Sequence, residues 1–120
     1  MATAKYYREL EIWQEGMEVC EEIYRITDSF PKKEQFTLTS QMRRASISVP
    51  SNIAEGFVRK HSKEFRRFLS IALGSLAELD TQISLSFRLG YMTEGESRDL
   101  LAKTEKLGKK TTNFYKRIRN

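Results

Sequence analysis

The chain has 120 residues, of which 31% are charged and 39% hydrophobic, and it contains only 2 Pro and 6 Gly. This length suits one domain, 1–120, with a single hydrophobic core, and the composition favours a helical globular protein over a disordered chain. No apolar run approaches the roughly 18 residues of a membrane span, residues 1–13 lack the apolar core of a signal peptide, and one cysteine allows no internal disulfide, so we expect a cytoplasmic protein.

The net charge of +5 is unevenly distributed along the chain. Residues 1–30 carry more acidic than basic groups, whereas the remainder is net basic. Such an asymmetry indicates either a nucleic-acid-binding surface or acidic and basic helices that pack side by side. The charge pattern alone leaves both interpretations open.

The first predicted helix covers residues 9–27 and has an acidic face opposite an apolar stripe. The stripe includes the single thiol, Cys20, which we therefore expect to be buried and reduced. Its members recur at the three- and four-residue spacing of a helix face: Trp13, Gly16, Met17, Cys20, Ile23, Tyr24 and Thr27. Phe30-Pro31 ends the helix, because the residue before a proline avoids the helical region.

The second predicted helix covers residues 35–57 and contains a proline in its interior. Its main apolar face keeps the helical spacing on both sides of Pro50 and consists of Leu38, Met42, Ala45, Val49, Ile53 and Gly56. A proline here removes the hydrogen bond to the carbonyl of Ser46 and costs roughly 3 kcal/mol. We therefore expect contacts from outside the helix to offset this loss.

The second predicted helix has a second apolar strip and a polar strip besides its main apolar face. A second apolar arc, formed by Ile47, Pro50, Ala54 and Phe57, indicates burial on two sides, and in a small bundle the second side is often a subunit interface. A polar strip, formed by Gln41, Arg44, Ser48, Asn52 and Glu55, is either a solvated face or a set of fixed hydrogen bonds. In the second case Ser48, Asn52 and Glu55 are placed to reconnect polar groups near Pro50 and Gly56.

The third and fourth predicted helices cover residues 63–89 and 94–118. The third has a coiled-coil-like seam, widened by residues that include Ile71 and Leu85, and consisting of Phe65, Leu69, Ala72, Leu76, Leu79 and Ile83. Ser62 is placed to cap it and Gly90 to end it. Thr93 and Glu96 form a capping box for the fourth helix. With short connections, the sequence predicts an all-α, antiparallel up-and-down four-helix bundle.

Signals for catalysis or metal binding are weak. His61 lies in a basic connection without a nearby ligand set, and Cys20 lacks a candidate base in the sequence. No phosphate-binding glycine loop is present either. We therefore expect no enzymatic activity, no cofactor and no metal site.

Basic residues are the strongest functional candidates, since arginine pairs suit bidentate phosphate contacts. The fourth helix carries only positive charges after Glu105, more than its dipole requires. No recognition-helix turn or zinc finger accompanies them. The predicted nucleic-acid-binding residues are Arg43, Arg44, Arg59, Lys60, Lys63, Arg66, Arg67, Lys106, Lys109, Lys110, Lys116, Arg117 and Arg119.

Two segments of the second predicted helix form a recognisable pattern: SQMRRA at residues 40–45 and SVPSNIAEG at 48–56. Further segments accompany them along the chain: LEIWQ at 10–14, FP at 30–31, FL at 68–69, ALGSLAEL at 72–79 and LGY at 89–91. In order and spacing these segments resemble the four-helix-bundle proteins encoded in intervening sequences of bacterial 23S ribosomal RNA genes. Within these segments we define a structural motif of the second helix, consisting of Gln41, Ser48, Pro50, Asn52, Glu55 and Gly56. Gly16, where the family pattern suggests alanine, is a departure that would loosen the first helix.

The resemblance implies a ring-shaped homopentamer. It also implies similarity to the accessory variability determinant of diversity-generating retroelements, which works with a reverse transcriptase and nucleic acid. Our leading hypothesis is a non-enzymatic oligomeric bundle that binds RNA or DNA through its basic residues. The rival is a protein-interaction scaffold in which the acidic first helix and basic fourth helix pair between subunits.

Overall fold

The computed structural model describes residues 4–118, which form four helices: α1 (Glu11–Thr27), α2 (Leu38–Val58), α3 (Ser62–Arg88) and α4 (Glu94–Arg117). Single 3-10 turns, Tyr7–Glu9 and Lys32–Glu34, precede α1 and α2. The described residues contain no strand. The prediction of an all-α chain with four helices is confirmed.

Each helix packs against the next one in the chain, and α4 closes the bundle by packing against α1. The direction alternates: Gly16, early in α1, lies against Pro50, late in α2, and Gly56 at the end of α2 lies against Phe65 at the start of α3. The chain is therefore an antiparallel bundle measuring 44 × 25 × 19 Å. None of the described helices is both long and apolar enough to cross a membrane.

The helix ends follow the predicted signals in part. Thr93 and Glu96 form the capping box of α4 in both directions, and Gly90 follows α3 with φ of 81°. Ser62 does not cap α3 but is its first residue, and His61 occupies the capping position without a side-chain hydrogen bond. α2 begins at Leu38 rather than 35, because residues 35–37 form a turn, with Thr37 N–H donating to the carbonyl of Glu34.

The core lies along the axis of the bundle and receives residues from all four helices. Its largest fully buried aliphatic and thioether side chains are Ile23, Met42, Ile53, Leu69, Leu79, Ile83, Leu100 and Leu107. The apolar stripe of α1 is rotated from the predicted one: Ile12, Val19 and Ile26 are buried, whereas Met17 and Tyr24 are exposed. The apolar arc of α1 is wide enough to allow several rotations of the helix about its axis. Packing against α2 and α4 selects one rotation and so decides which residues are buried.

Pro50 is buried inside a helix that continues without interruption to Val58. Two contacts from α1 offset its cost. The Cys20 thiol donates a 2.9 Å hydrogen bond to the carbonyl of Ser46, which Pro50 leaves without its helical donor. Gly16 allows the α1 backbone to approach the proline ring, since a Cβ there would lie 3.4 Å from Pro50 Cβ.

α2 approaches α3 closely at Gly56. A Cβ added to Gly56 would lie 2.7 Å from Phe68 Cβ and 2.9 Å from Phe65 Cδ1, closer than carbon atoms pack. Phe65 in turn packs edge-on against Phe57 and Phe114, with ring centroids 6.0 and 5.6 Å away. Glycine at this position therefore lets an aromatic cluster close one end of the bundle.

Candidate nucleic-acid interface

The polar strip of α2 forms fixed hydrogen bonds rather than a fully solvated face. Ser48 and Ser75 hydroxyls lie 2.8 Å apart and join α2 to α3. Asn52 Nδ2 donates to the carbonyl and to the hydroxyl of Ser48, at 2.7 and 2.9 Å. Glu55 forms an ion pair with Arg59 at 2.8 Å. These residues do not reconnect the carbonyl that Pro50 frees, because Cys20 does so from α1.

The N-terminal end of the polar strip, unlike its middle, makes no fixed contacts. Gln41 and Arg44 are exposed there, and neither side chain has a hydrogen-bond or ion-pair partner among residues 4–118. The six residues of the structural motif therefore divide into helix-packing positions at Pro50 and Gly56, hydrogen-bonding positions at Ser48 and Asn52, and surface positions at Gln41 and Glu55.

Several predicted phosphate-binding residues are engaged in contacts within the chain. Lys110 on α4 donates to both Glu11 and Glu15 on α1. These hydrogen bonds raise the pKa of Lys110, and the same hydrogen bond and charge hold the pKa of Glu11 below its usual value. Lys103 lies 3.8 Å from Glu22 on the same interface.

The pairing of acidic α1 with basic α4 therefore occurs within one chain. The rival hypothesis places such pairs between subunits; within one chain, the adjacency of the first and last helices already gives Lys103 and Lys110 partners on α1. This adjacency also accounts for part of the basic excess of α4.

Arg43 is similarly occupied. Its Nε donates to Thr27 Oγ1 at 2.9 Å, one terminal nitrogen donates to the carbonyl of Tyr24 at 3.3 Å, and the guanidinium lies 4.5 Å from the centre of the Tyr24 ring. Asp28 lies 3.8 Å away. Arg43 therefore fixes the C-terminal end of α1 to α2, which reduces its availability to a phosphate.

Four of the predicted residues come together around one open groove: Lys60, Lys63, Arg66 and Arg67. The groove has a volume of about 1030 Å³ and lies where the α2–α3 connection and the first turns of α3 meet the end of α4. No carboxylate lines it, and none of the four forms an ion pair with a described residue. We call these residues with Tyr115, Ile71 and His61 the basic groove.

Two features of α3 add to the positive potential of the basic groove. The first backbone hydrogen bond of the helix runs from Phe65 N–H to His61, so the three N–H groups before it have no acceptor among the described residues. A helix of 27 residues also directs the positive end of its dipole here. The site therefore favours anions through both side chains and backbone.

The guanidinium of Arg66 lies over an aromatic ring of α4. Its centre is 4.5 Å from the centre of the Tyr115 ring, and its Nε is buried without a hydrogen-bond partner among the described residues. This cation–π contact holds the guanidinium at the groove, where a planar cation can form both stacking and charge contacts.

The remaining predicted residues lie outside the groove lining. Arg59 pairs with Glu55 at its edge, Lys109 pairs with Glu105 at 3.2 Å, and Arg44 lies more than two helical turns away on α2. The others are exposed on α4, at Lys106, Lys116 and Arg117. Arg119 lies outside the described residues.

Sequence reasoning missed part of the basic groove. Ile71 is predicted to widen the core seam of the third helix, but its side chain is 41% exposed and lines the groove. His61, for which the sequence indicates no ligand set, is exposed and lies among the four cations. The proximity of Tyr115 to arginines of α3 had no signal in the sequence, because nearly 50 residues separate them. Residues 4–118 contain no cluster of three or more His, Cys, Asp or Glu residues that could hold a metal ion.

Comparisons with known proteins agree with this architecture. The sequence profile of the 23S rRNA-intervening sequence protein family matches residues 8–113. A search of curated proteins gave no significant match. Among solved structures, the chain resembles a protein of unknown function from the S23 ribosomal protein family of Bacteroides thetaiotaomicron, with a TM-score of 0.80 at 20% identity, covering 88% of this chain and 95% of the other.

Proposed function

The chain belongs to the 23S rRNA-intervening sequence protein family, and for this member we propose a binding role without catalysis, in which the basic groove holds the phosphates of RNA or DNA. The observation that carries the proposal is the convergence of Lys60, Lys63, Arg66 and Arg67 on a groove with no lining carboxylate. Elsewhere the bundle pairs many of its cations with its own acids, as at Lys110. In the groove, four cations without a described ion-pair partner lie together.

Phosphate binding at such a site has a defined electrostatic signature. Each neutralised phosphate releases condensed counterions, so the logarithm of the binding constant falls with the logarithm of salt concentration, by about 0.7 to 0.9 per contact. Removing three contacts should therefore reduce the slope by about 2 to 3. This expected change separates a groove that contacts phosphates directly from a general effect of protein charge.

The test compares two triple variants in fluorescence anisotropy with a labelled oligonucleotide across a salt series. The first, Lys60→Gln, Lys63→Gln and Arg67→Gln, should lose most of the binding and most of the salt dependence. The control removes three exposed cations at the opposite end of the bundle: Lys32→Gln, Lys33→Gln and Arg88→Gln.

Both triple variants lose the same formal charge, so the control should retain the wild-type slope. Equal losses in the two variants would show that only net charge matters and would refute the groove as the site. Absence of binding by the wild-type protein at low salt would refute the proposed function itself.

We further propose that the protein acts as a ring-shaped homo-oligomer, with five copies as the family resemblance implies. Support comes from exposed apolar side chains that gather near the start of α2: Phe36 is 86% exposed, Ile47 44% and Tyr24 42%. Ile47 belongs to the second apolar arc of α2, for which a subunit interface was predicted. The burial of these side chains between copies would stabilise an assembly through the hydrophobic effect.

Light scattering tests the assembly. The wild-type protein should have a mass several times 14.0 kDa, and Phe36→Ser with Ile47→Ser should lower it towards that of one chain. Val58→Ser, which removes an apolar side chain that is 59% exposed at the other end of α2, is the control and should leave the mass unchanged. A wild-type mass of one chain would refute the oligomer.

A further inference from the structure

We infer that the basic groove takes a single strand of nucleic acid with at least one unpaired base, rather than the side of a duplex; this inference rests on the proposed function. Three observations support it: the open groove, the cation–π contact between Arg66 and Tyr115, and the position of the other cations around that pair.

The shape of the site suits an extended strand. Proteins that read a duplex insert a protruding helix or ribbon into a groove of the nucleic acid. In this bundle the cations do not protrude; they line a groove in the protein between α3 and the end of α4, into which the nucleic acid would have to enter. The groove is open to solvent and has a volume of about 1030 Å³, enough space for a nucleotide. The base of an unpaired nucleotide can contact the groove lining, whereas a paired base has its edge and faces covered.

The pair of Arg66 and Tyr115 provides a surface for a base. Unpaired bases stack on aromatic rings and on guanidinium planes, and this contact tolerates any base because every base has a π face. The guanidinium carbon of Arg66 lies 4.5 Å from the centre of the Tyr115 ring, and both side chains line the groove. A base that stacks on the guanidinium would therefore lie beside an aromatic ring. The exposed side chain of Ile71 lies on the same groove and offers an apolar contact beside it.

The remaining cations are placed for the backbone of the same strand. Lys60 lies in the connection before α3, and Lys63 and Arg67 lie in the first two turns of α3. Together they flank Arg66 along the chain. The open N–H groups at the start of α3 lie at the end of this row. A strand can therefore place its phosphates on the lysines and Arg67 while one base stacks on Arg66.

The test uses an oligonucleotide of about 12 nucleotides, within the range that single-strand-binding sites span, as a single strand and as a duplex with its complement. One base is 2-aminopurine, whose fluorescence is quenched on stacking. The RNA and DNA forms are both measured at fixed salt. The wild-type protein should bind the single strand at least about tenfold more tightly than the duplex and should quench the probe.

Two variants examine the stack. Arg66→Lys keeps the charge but removes the plane, and it should weaken single-strand binding by about tenfold and abolish the quenching, since stacking of one base contributes about that much. Arg88→Lys makes the same substitution outside the groove, at the opposite end of α3, and should retain both. Thermal unfolding checks that each variant is folded.

The outcomes separate the two proposals. If the duplex binds as tightly as the single strand, the inference is overturned while the proposed function stands. If neither form binds at low salt, the proposed function is overturned and the inference with it. If the single strand binds tightly but Arg66→Lys changes neither affinity nor quenching, the cations hold the strand without a stacked base and the inference is overturned.

Discussion

Three helical glycines provide a quantitative test of the packing. Replacing glycine by alanine in a helix interior stabilises it by about 0.5–1 kcal/mol, because alanine has less backbone freedom to lose on folding. Gly74 is exposed on α3 with no atom within 4 Å of an added Cβ, so Gly74→Ala should show this gain alone. It serves as the internal reference for the two buried sites.

The buried sites should respond in opposite directions. At Gly16 the new Cβ would meet Pro50 atoms at 3.4 to 3.5 Å, which is ordinary contact, so Gly16→Ala should stabilise by about 0.5–1 kcal/mol. At Gly56 the Cβ would lie 2.7 Å from Phe68 Cβ, an atom that no rotamer change can move. Overpacking of this kind costs about 1–3 kcal/mol. The net loss for Gly56→Ala should then be about 1–2 kcal/mol after the propensity gain is subtracted.

Urea and thermal unfolding followed by circular dichroism measure all three variants. A change of 1 kcal/mol in a domain of this size shifts the melting temperature by about 4 °C, so Gly74→Ala and Gly16→Ala should melt above the wild type and Gly56→Ala below it. A Gly56→Ala protein as stable as the wild type would refute the close approach of α2 and α3. Loss of stability in Gly16→Ala would show that α1 packs more closely on the proline than the distances indicate.

Three further predictions concern buried or paired polar groups. Cys20→Ala should destabilise the fold by about 1–3 kcal/mol, because it leaves the buried carbonyl of Ser46 without a donor. In a Pro50→Ala background the helix supplies an N–H to this carbonyl, so the loss of stability caused by Cys20→Ala, measured by urea unfolding, should be smaller by about 1 kcal/mol. Equal losses in the two backgrounds would refute the role of the thiol. Burial raises the pKa of Asp80, so its charged form is disfavoured in the folded state. Asp80→Asn should therefore raise the free energy of unfolding at pH 7 and make no difference at pH values where the carboxyl is already protonated. Lys110 lowers the pKa of Glu11, so the ion pair contributes to folding stability above the usual pKa of 4.5, and this contribution is lost as the pH falls through the lower pKa of the folded state. Lys110→Met should flatten the dependence of folding stability on pH in that window. An unchanged pH profile would argue against the pair.

The sequence by itself determined the helices and most of the core. Helical periodicity is a local property, so the spacing of Leu69, Leu76 and Ile83 identified a buried seam before any neighbour was known. The capping box at Thr93 was equally accessible, because both of its partners lie within four residues. Short connections then restricted four amphipathic helices to an antiparallel bundle.

Rotation of the helices and the pairing of their side chains were decided only by the tertiary structure. A wide apolar arc permits several orientations, so packing selected Val19 over Met17 for the core and left Ile71 exposed. The bonds from Cys20 to Ser46 and from Lys110 to Glu11 join residues far apart in the chain. No local pattern encodes such a pair.

The basic groove shows both contributions together. Composition and spacing identified Lys60, Lys63, Arg66 and Arg67 as candidates, but they ranked them equally with Lys110 and Arg43. Folding separates these groups, because it brings carboxylates of α1 to Lys110 while it places Tyr115 and no carboxylate beside the others. Charge is a property of the residue, but the availability of that charge depends on which helices become neighbours.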